Sequence, residues 1–312
     1  MITIYTKKDD DLHEVPSIEN ECWINIAQPN YTEISEISKK LDIPEEFLTD
    51  PLDTDERSRV EIEDNHLLII LRIPYFDKEH PETPYNTVPL GIILSPQTII
   101  TISSMNHEIH ESFLGRKIKN LTLKNKQKFI LTLLLKTALL YLKYLKQINN
   151  ITGELEKELH KSMKNRELIK LLDLEKSLVY FTTSLKANEL MILRLARTQK
   201  FRLTEEDQDL LEDVIVEYKQ AIEMANVYSN ILSGMMDAFA SVISNNLNVV
   251  MKFLTSITFI IMLPTLVASI YGMNVDLPFQ KSQNAFLIVV FIAALSAIMG
   301  AIFVINRKWF RL

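Results

Sequence analysis

Glycine is scarce, at six residues in a chain of 312. That is too few for a Gly-rich phosphate loop, and eleven prolines are too few for a low-complexity linker. Cysteine is scarcer still. A lone Cys22 excludes both an intrachain disulfide framework and a cysteine metal cluster, and beside Trp23 it reads as a small buried hydrophobe. Basic residues are not in excess: 34 Lys and Arg stand against 40 Asp and Glu, for a net charge of -6. That balance argues against a general nucleic-acid binder. Residues 1–11 lack the basic-then-apolar pattern of a signal peptide, so the first domain is not expected to be exported.

What the chain does have is apolar sequence concentrated near its end. Residues 253–270 contain no charge and come close to the ~20 residues that cross a bilayer as helix. Residues 285–305 form a second uncharged run. Lys252 flanks the first run, and Arg307, Lys308 and Arg311 follow the second, whereas the connecting residues 275–284 carry only Asp276 and Lys281. The positive-inside rule then places both termini in the cytosol and the loop outside; the membrane expected is the plasma (inner) membrane. At about 100° per residue, Met251, Thr255, Thr258, Met262, Thr265 and Ser269 share one stripe of the first run, with Asn248 near its edge. Such a stripe is either helix–helix packing or the lining of a pore. Pro264 points away from it and is expected to bend the helix mildly.

Before the spans, β-type segments occur at residues 1–5 and 22–26. Apolar Ile34, Ile37 and Leu41 step by helical intervals, and Pro44 opens a further short helix in its first turn. Residues 60–73 read as a hairpin turning at Asp64-Asn65, and residues 88–102 as another turning at 95–97. Helix is expected from about Asn106. Residues 1–105 are thus an α+β domain with a mainly antiparallel sheet. From about 121 to 248 the chain reads as helix, broken near Asn149-Asn150, near 163–166 and at Leu203-Thr204. Thr204 is an N-cap followed by acidic residues, and the helix it opens meets no strong breaker before Pro264. Leu211, Val214, Tyr218, Ala221, Ala225, Tyr228, Leu232, Met235, Phe239 and Val242 make a heptad seam along it. The seam either packs on its own domain or also serves a stalk that meets copies of itself.

The first span ends in Tyr271-Gly272-Met273-Asn274. With a second C-terminal span, a long preceding helix and a basic tail, this resembles the CorA-type magnesium transporters, whose signature is Gly-Met-Asn at the outer end of the first of two membrane helices. The resemblance covers the whole chain. It implies an α/β/α sandwich in the cytosol, a long stalk helix, two transmembrane helices and a funnel-shaped homopentamer in the lipid bilayer. The parts are expected at 1–105, 106–203 (helical), 204–252 (stalk), 253–274, 275–284 (outer loop), 285–305 and 306–312 (basic tail). The resemblance further implies Gly272, Met273 and Asn274 as a selectivity filter. Pore-lining positions fall on Asn248, Met251, Leu254, Met262 and Thr265, with Thr258 and Ser269 on the same stripe, and an acidic stalk position falls on Asp237. Cytosolic Mg2+ between subunits would be held by Asp50, in Leu48-Thr49-Asp50-Pro51-Leu52-Asp53, with Asp213 as partner. Thr49 stands where a carboxylate is expected, and Lys136, Lys143 and Lys146 make basic a helix that is acidic in many relatives. The local alternative for Asp50 is simple capping.

The expected function is passive, potential-driven uptake of hydrated Mg2+, with Co2+ or Ni2+ as further cargo, gated by cytosolic Mg2+. The alternatives are a Zn2+ or other divalent-cation transporter of the same superfamily, and a non-conducting scaffold or sensor. An enzyme is not expected. His107-Glu108-Ile109-His110-Glu111 lacks the His-Glu-x-x-His spacing of a zinc protease, and no nucleotide or nucleic-acid partner is implied.

Overall fold

The computed structural model describes residues 1–8, 11–19, 21–114, 123–161, 165–279 and 281–306. Arg307, Lys308 and Arg311, on which the orientation rule drew, lie outside them. The chain divides into two compact units, Met1–Met236 and Asp237–Leu312.

In the first unit, seven strands form one sheet: β1 (Ile2–Lys8), β2 (Asp11–Glu14), β3 (Cys22–Ala27), β4 (Arg59–Glu63), β5 (His66–Phe76), β6 (Tyr85–Leu94) and β7 (Thr98–Ser103). Their order is β2-β1-β3-β7-β6-β5-β4, and β3–β7 is the parallel pairing in an otherwise antiparallel ladder. The β4–β5 hairpin turns through Asp64 in the left-handed region (φ 47°), a conformation that a short polar side chain tolerates. β2 was not anticipated. It is short and, but for Leu12, polar, and register with β1 from Tyr5↔Glu14 to Lys8↔Asp11 holds it in place.

Both sheet faces are covered. On one lie α1 (Tyr31–Leu41), α2 (Glu45–Thr49) and a single 3₁₀ turn, Asp50–Leu52. Ile34, Ile37, Phe47 and Leu48 pack there with Leu68, Ile70, Ile93, Ile100 and Ile102. Asn30 caps α1 reciprocally with Glu33, and Pro44 is the N-cap residue of α2, one position earlier than expected. On the other face lie α3 (Glu108–Phe113), α4 (Lys126–Lys161) and α5 (Asn165–Ala196). Trp23 meets Phe113 and Phe129 there, and Tyr85 meets Tyr144 and Phe181. The first unit is an α/β/α sandwich.

α4 runs unbroken through Asn149 and Asn150, which corrects the expected break. The two Asn side chains face solvent while Ile148, Thr152 and Leu155 beside them are buried. Apolar burial of about 1.5–3 kcal/mol per side chain outweighs a few tenths lost to poor propensity.

α6 (Glu205–Tyr271) is one helix of 67 residues with Pro264 inside it. Its start is a reciprocal cap: Asp207 N–H donates to Thr204 Oγ1 at 3.2 Å, and Thr204 N–H to Asp207 Oδ2 at 3.3 Å. Val214, Tyr218, Ala221, Ala225 and Leu232 of the heptad seam are buried within the single chain. That part of the seam packs on its own unit, whereas Val242, at its far end, is exposed. Val216, Val227 and Ile231, off the seam, remain exposed.

The second unit contains the remainder of α6 and α7 (Ala285–Asn306). Both helices are long and apolar enough to cross a membrane. They pack through Gly300, where an added Cβ would lie 2.6 Å from Leu263 Cδ1 and 3.8 Å from Ile260 Cα, and through Phe259 and Phe303, centroids 6.2 Å apart.

Candidate functional site

Ser256 is buried, and Ile260, Leu263, Pro264 and Val267 are half-buried, so this side of α6 carries the contact with α7. A helix turns by about 100° per residue, which puts Met251, Thr255, Thr258, Met262, Thr265 and Ser269 on the opposite side. All six are exposed, as are Asn248 and Leu254, and Met262 is 64% accessible. The stripe therefore does not pack within the chain.

Its hydroxyls are directed by the backbone. Thr255 Oγ1 donates to Met251 O at 2.8 Å, Thr258 Oγ1 to Leu254 O at 2.9 Å and Thr265 Oγ1 to Ile261 O at 2.8 Å. With the proton committed to its own helix, each hydroxyl offers only lone pairs outward. That is a surface of weak acceptors, suited to the water shell of a cation.

α6 stops at Tyr271. Gly272 N–H donates to Ala268 O at 2.9 Å and to Ser269 O at 3.2 Å, and Met273 N–H to Ile270 O at 3.2 Å. Tyr271 Oη donates to Pro278 O at 3.4 Å, tying the helix end to the connecting loop. Gly272, Met273 and Asn274 are exposed beyond the helix. Among the described residues, a Cβ at Gly272 would meet only Ala268 O at 3.4 Å and Ser269 O at 3.6 Å, so none of them demands glycine there. The negative end of the α6 dipole falls at this motif, which favours a cation without any charged side chain.

Asp50 is placed by the sheet. Pro51 is buried on Gly91 of β6, where a Cβ would run into Pro51 Cγ and Cβ and lie 2.8 Å from Ile102 Cγ2. Gly91 was not singled out from the sequence, although a mid-strand glycine is a signal of close backbone approach. Asp50 N–H donates to Glu46 O, closing α2. Its carboxylate, however, accepts from Arg59 Nη2 at 2.6 Å. Arg59 Nε reaches Glu61 Oε2 at 3.2 Å, and Nη1 pairs with Glu56 Oε1. Partial burial works to lower the Arg59 pKa, but the bonds to Glu56, Asp50 and Glu61 outweigh it and raise it. Thr49 Oγ1 points back to Glu45 O and Glu46 O at 3.3 and 3.4 Å. Asp213 and Asp237 are exposed on α6. Among the described residues, no group of three or more His, Cys, Asp or Glu side chains is arranged to hold a metal within one chain. Carboxylate oxygens are the donors Mg2+ prefers, so Asp50 and Asp213 suit that ion chemically, but a single chain does not bring together a complete set.

A further residue fixes this corner. Asn188 of α5 accepts from Ser58 Oγ at 2.7 Å and from Arg72 N–H at 3.0 Å, and its Nδ2 donates to Arg72 O at 2.8 Å. It thereby satisfies the β5 backbone just beyond the terminal β4–β5 pair, Arg59↔Ile70.

The His-rich segment is structural. His107 caps α3, accepting from His110 N–H at 3.2 Å, and His110 Nε2 lies 3.2 Å from Tyr5 Oη. Glu108 accepts from Lys143 Nζ at 2.7 Å and Tyr144 Oη at 2.5 Å. Burial, with help from His110, holds the His107 pKa down to about 3.

Fold and site together define a two-span membrane protein whose first span presents a polar stripe and an exposed polar motif. The chain belongs to the family of CorA-like Mg2+ transporter proteins, whose model matches residues 19–308. It is 30% identical over 287 residues to the cobalt/magnesium transport protein CorA of Methanocaldococcus jannaschii, covering 90% of this chain and 88% of that one. With CorA of Thermotoga maritima the identity is 24%, covering 92% and 83%. The complete CorA magnesium transporter structure from M. jannaschii superposes with a TM-score of 0.83 at 26% identity, covering 97% of this chain and 96% of that one.

Proposed function

We propose that this chain forms a homopentameric pore for passive, potential-driven uptake of hydrated Mg2+, with Co2+ and Ni2+ as further cargo. The observation that carries this reading is the stripe of Met251, Thr258, Met262, Thr265 and Ser269, exposed on the side of α6 opposite α7. Around an axis shared by several copies, a polar-and-Met stripe left free by α7 becomes the wall of a channel. The CorA names of the relatives supply the ion.

Mg2+ dehydrates reluctantly and prefers octahedral oxygen. A ring of Asn274 amides, with backbone carbonyls near Gly272 and Met273, can hydrogen-bond the ion's water shell and read its size and charge through water. Neutral ligands keep binding weak enough for release. Deeper in the pore, Thr265 and Asn248 form further polar rings. Met262, Leu254 and Met251 form an apolar constriction able to close by dewetting, with Asp237 on the inner stalk below. The spans are read as 253–274 and 285–305, joined outside by 275–284, with both termini in the cytosol. Asp50 and Asp213 of neighbouring copies hold the regulatory Mg2+. The two carboxylates repel when bare and draw together around the ion, which favours the closed ring.

The test is Mg2+ influx into liposomes containing the purified protein. Wild type should conduct and be blocked by cobalt hexaammine, a mimic of the hydrated ion, whereas Asn274→Ala should lose selective flux. Conduction by Asn274→Ala with unchanged selectivity and block would refute the filter.

A further inference from the structure

Asp50 already holds a cation, and that cation belongs to the chain. Arg59 commits each of its three guanidinium nitrogens to a different carboxylate, those of Asp50, Glu56 and Glu61. An exposed ion pair is ordinarily worth little, because fixing two long side chains costs entropy. Here that cost is shared. Glu56 and Glu61 restrain the guanidinium independently of Asp50, and the planar fork is rigid. Both partners are also fixed at the backbone. Pro51 on Gly91 seats the Asp50 turn, and the Ser58–Asn188 hydrogen bond seats the strand end that carries Arg59. Thr49, in the position where the resemblance implies a second carboxylate, has turned its hydroxyl onto its own helix.

We propose that Arg59 is a built-in competitor for the regulatory divalent cation, which must displace the guanidinium from Asp50 before Asp50 can engage it. The proposal rests on the reading that Asp50 and Asp213 of adjacent copies hold that ion. Displacement does not strand a charge, because Arg59 keeps Glu56 and Glu61. The exchange therefore sets the Mg2+ threshold of the gate upward.

The experiment uses the full-length protein, with Mg2+ binding followed by equilibrium dialysis and the internal Mg2+ that halves influx measured in liposomes. Arg59→Gln should tighten Mg2+ binding roughly tenfold, the scale of one charge-assisted hydrogen bond, and lower the inhibitory concentration in parallel. Adding Asp50→Asn should abolish the gain. Arg59→Met, which keeps the packing of the stem, serves as a second variant with the same expectation should Arg59→Gln fold poorly. Unchanged affinity in the folded Arg59 variants, or a gain that survives Asp50→Asn, would overturn the proposal. A different outcome sinks only the gate: Arg59→Gln tightens binding through Asp50 while Asp50→Asn leaves inhibition intact.

Discussion

Gly91 and His107 show how single residues here act through what surrounds them. A methyl group at Gly91 has nowhere to go, since Pro51 and Ile102 already fill the space. Gly91→Ala should therefore cost about 1–3 kcal/mol, read as a lowered thermal midpoint, and should disturb the Asp50 turn resting on it. His107 is neutral in the fold because burial, and then His110, depress its pKa to about 3. Its unfolded value is near 6.5, so the unfolded chain binds the extra proton first as pH falls. The stability held by neutral His107 is thus full above about pH 6.5 and is lost progressively toward pH 3. Melting of wild type and His107→Asn between pH 7 and 4.5 checks this. Asn retains an N-cap acceptor, and its variant should lose less stability on acidification. The burial of His107 was not legible from local sequence, and a glycine inside β6 signalled a close approach without naming Pro51. Asp50 was singled out only through the resemblance of residues 48–53, and its contact with Arg59 and the bridge from Asn188 to Ser58 form only once the topology closes.

At the level of elements, periodicity and turn chemistry told most. α1 follows from Ile34 and Ile37 with the Asn30–Glu33 cap, and the β4–β5 hairpin from Asp64-Asn65 between two β-branched runs. Where the pattern was silent, tertiary pairing decided, as in β2, or core burial did, as across Asn149 and Asn150. The heptad seam of α6 marks a buried face correctly, yet a period cannot name the partner. Val214, Tyr218, Ala221, Ala225 and Leu232 of it are buried within the chain, and Val242 is exposed. The α6–α7 pair makes a graded prediction. Gly300→Ala meets the movable end of Leu263 and should be mild, whereas Gly300→Ile also meets the Ile260 backbone and should force the helices apart. Thermal stability of the two variants in detergent would show that order, and equal losses would refute it.

For the whole molecule, the proposed uptake draws on the membrane potential rather than on a nucleotide. Moving one charge through 100 mV is worth about 2.3 kcal/mol, and a divalent ion takes twice that. Mg2+ influx into liposomes should therefore rise when a potassium diffusion potential makes the interior negative, and fall when it is collapsed. Equal rates in both conditions would argue for electroneutral exchange. The α+β class, the long helix and the paired spans were all readable from composition and period. The assembly is not, because the residues that would face another copy look, in one sequence, like any other exposed helix surface.

Gly272 separates two kinds of selection on this protein. The described residues of its own chain would accept a side chain there, with no positive φ and no contact among them closer than 3.4 Å. In a saturation library scored once for abundance and once for magnesium-dependent growth, Gly272 and Asn274 should be permissive in the first screen and intolerant in the second. Gly91 and Asn188 should fail both. Positions that split in this way would mark the parts of the surface kept for the ion and for neighbouring copies rather than for the fold.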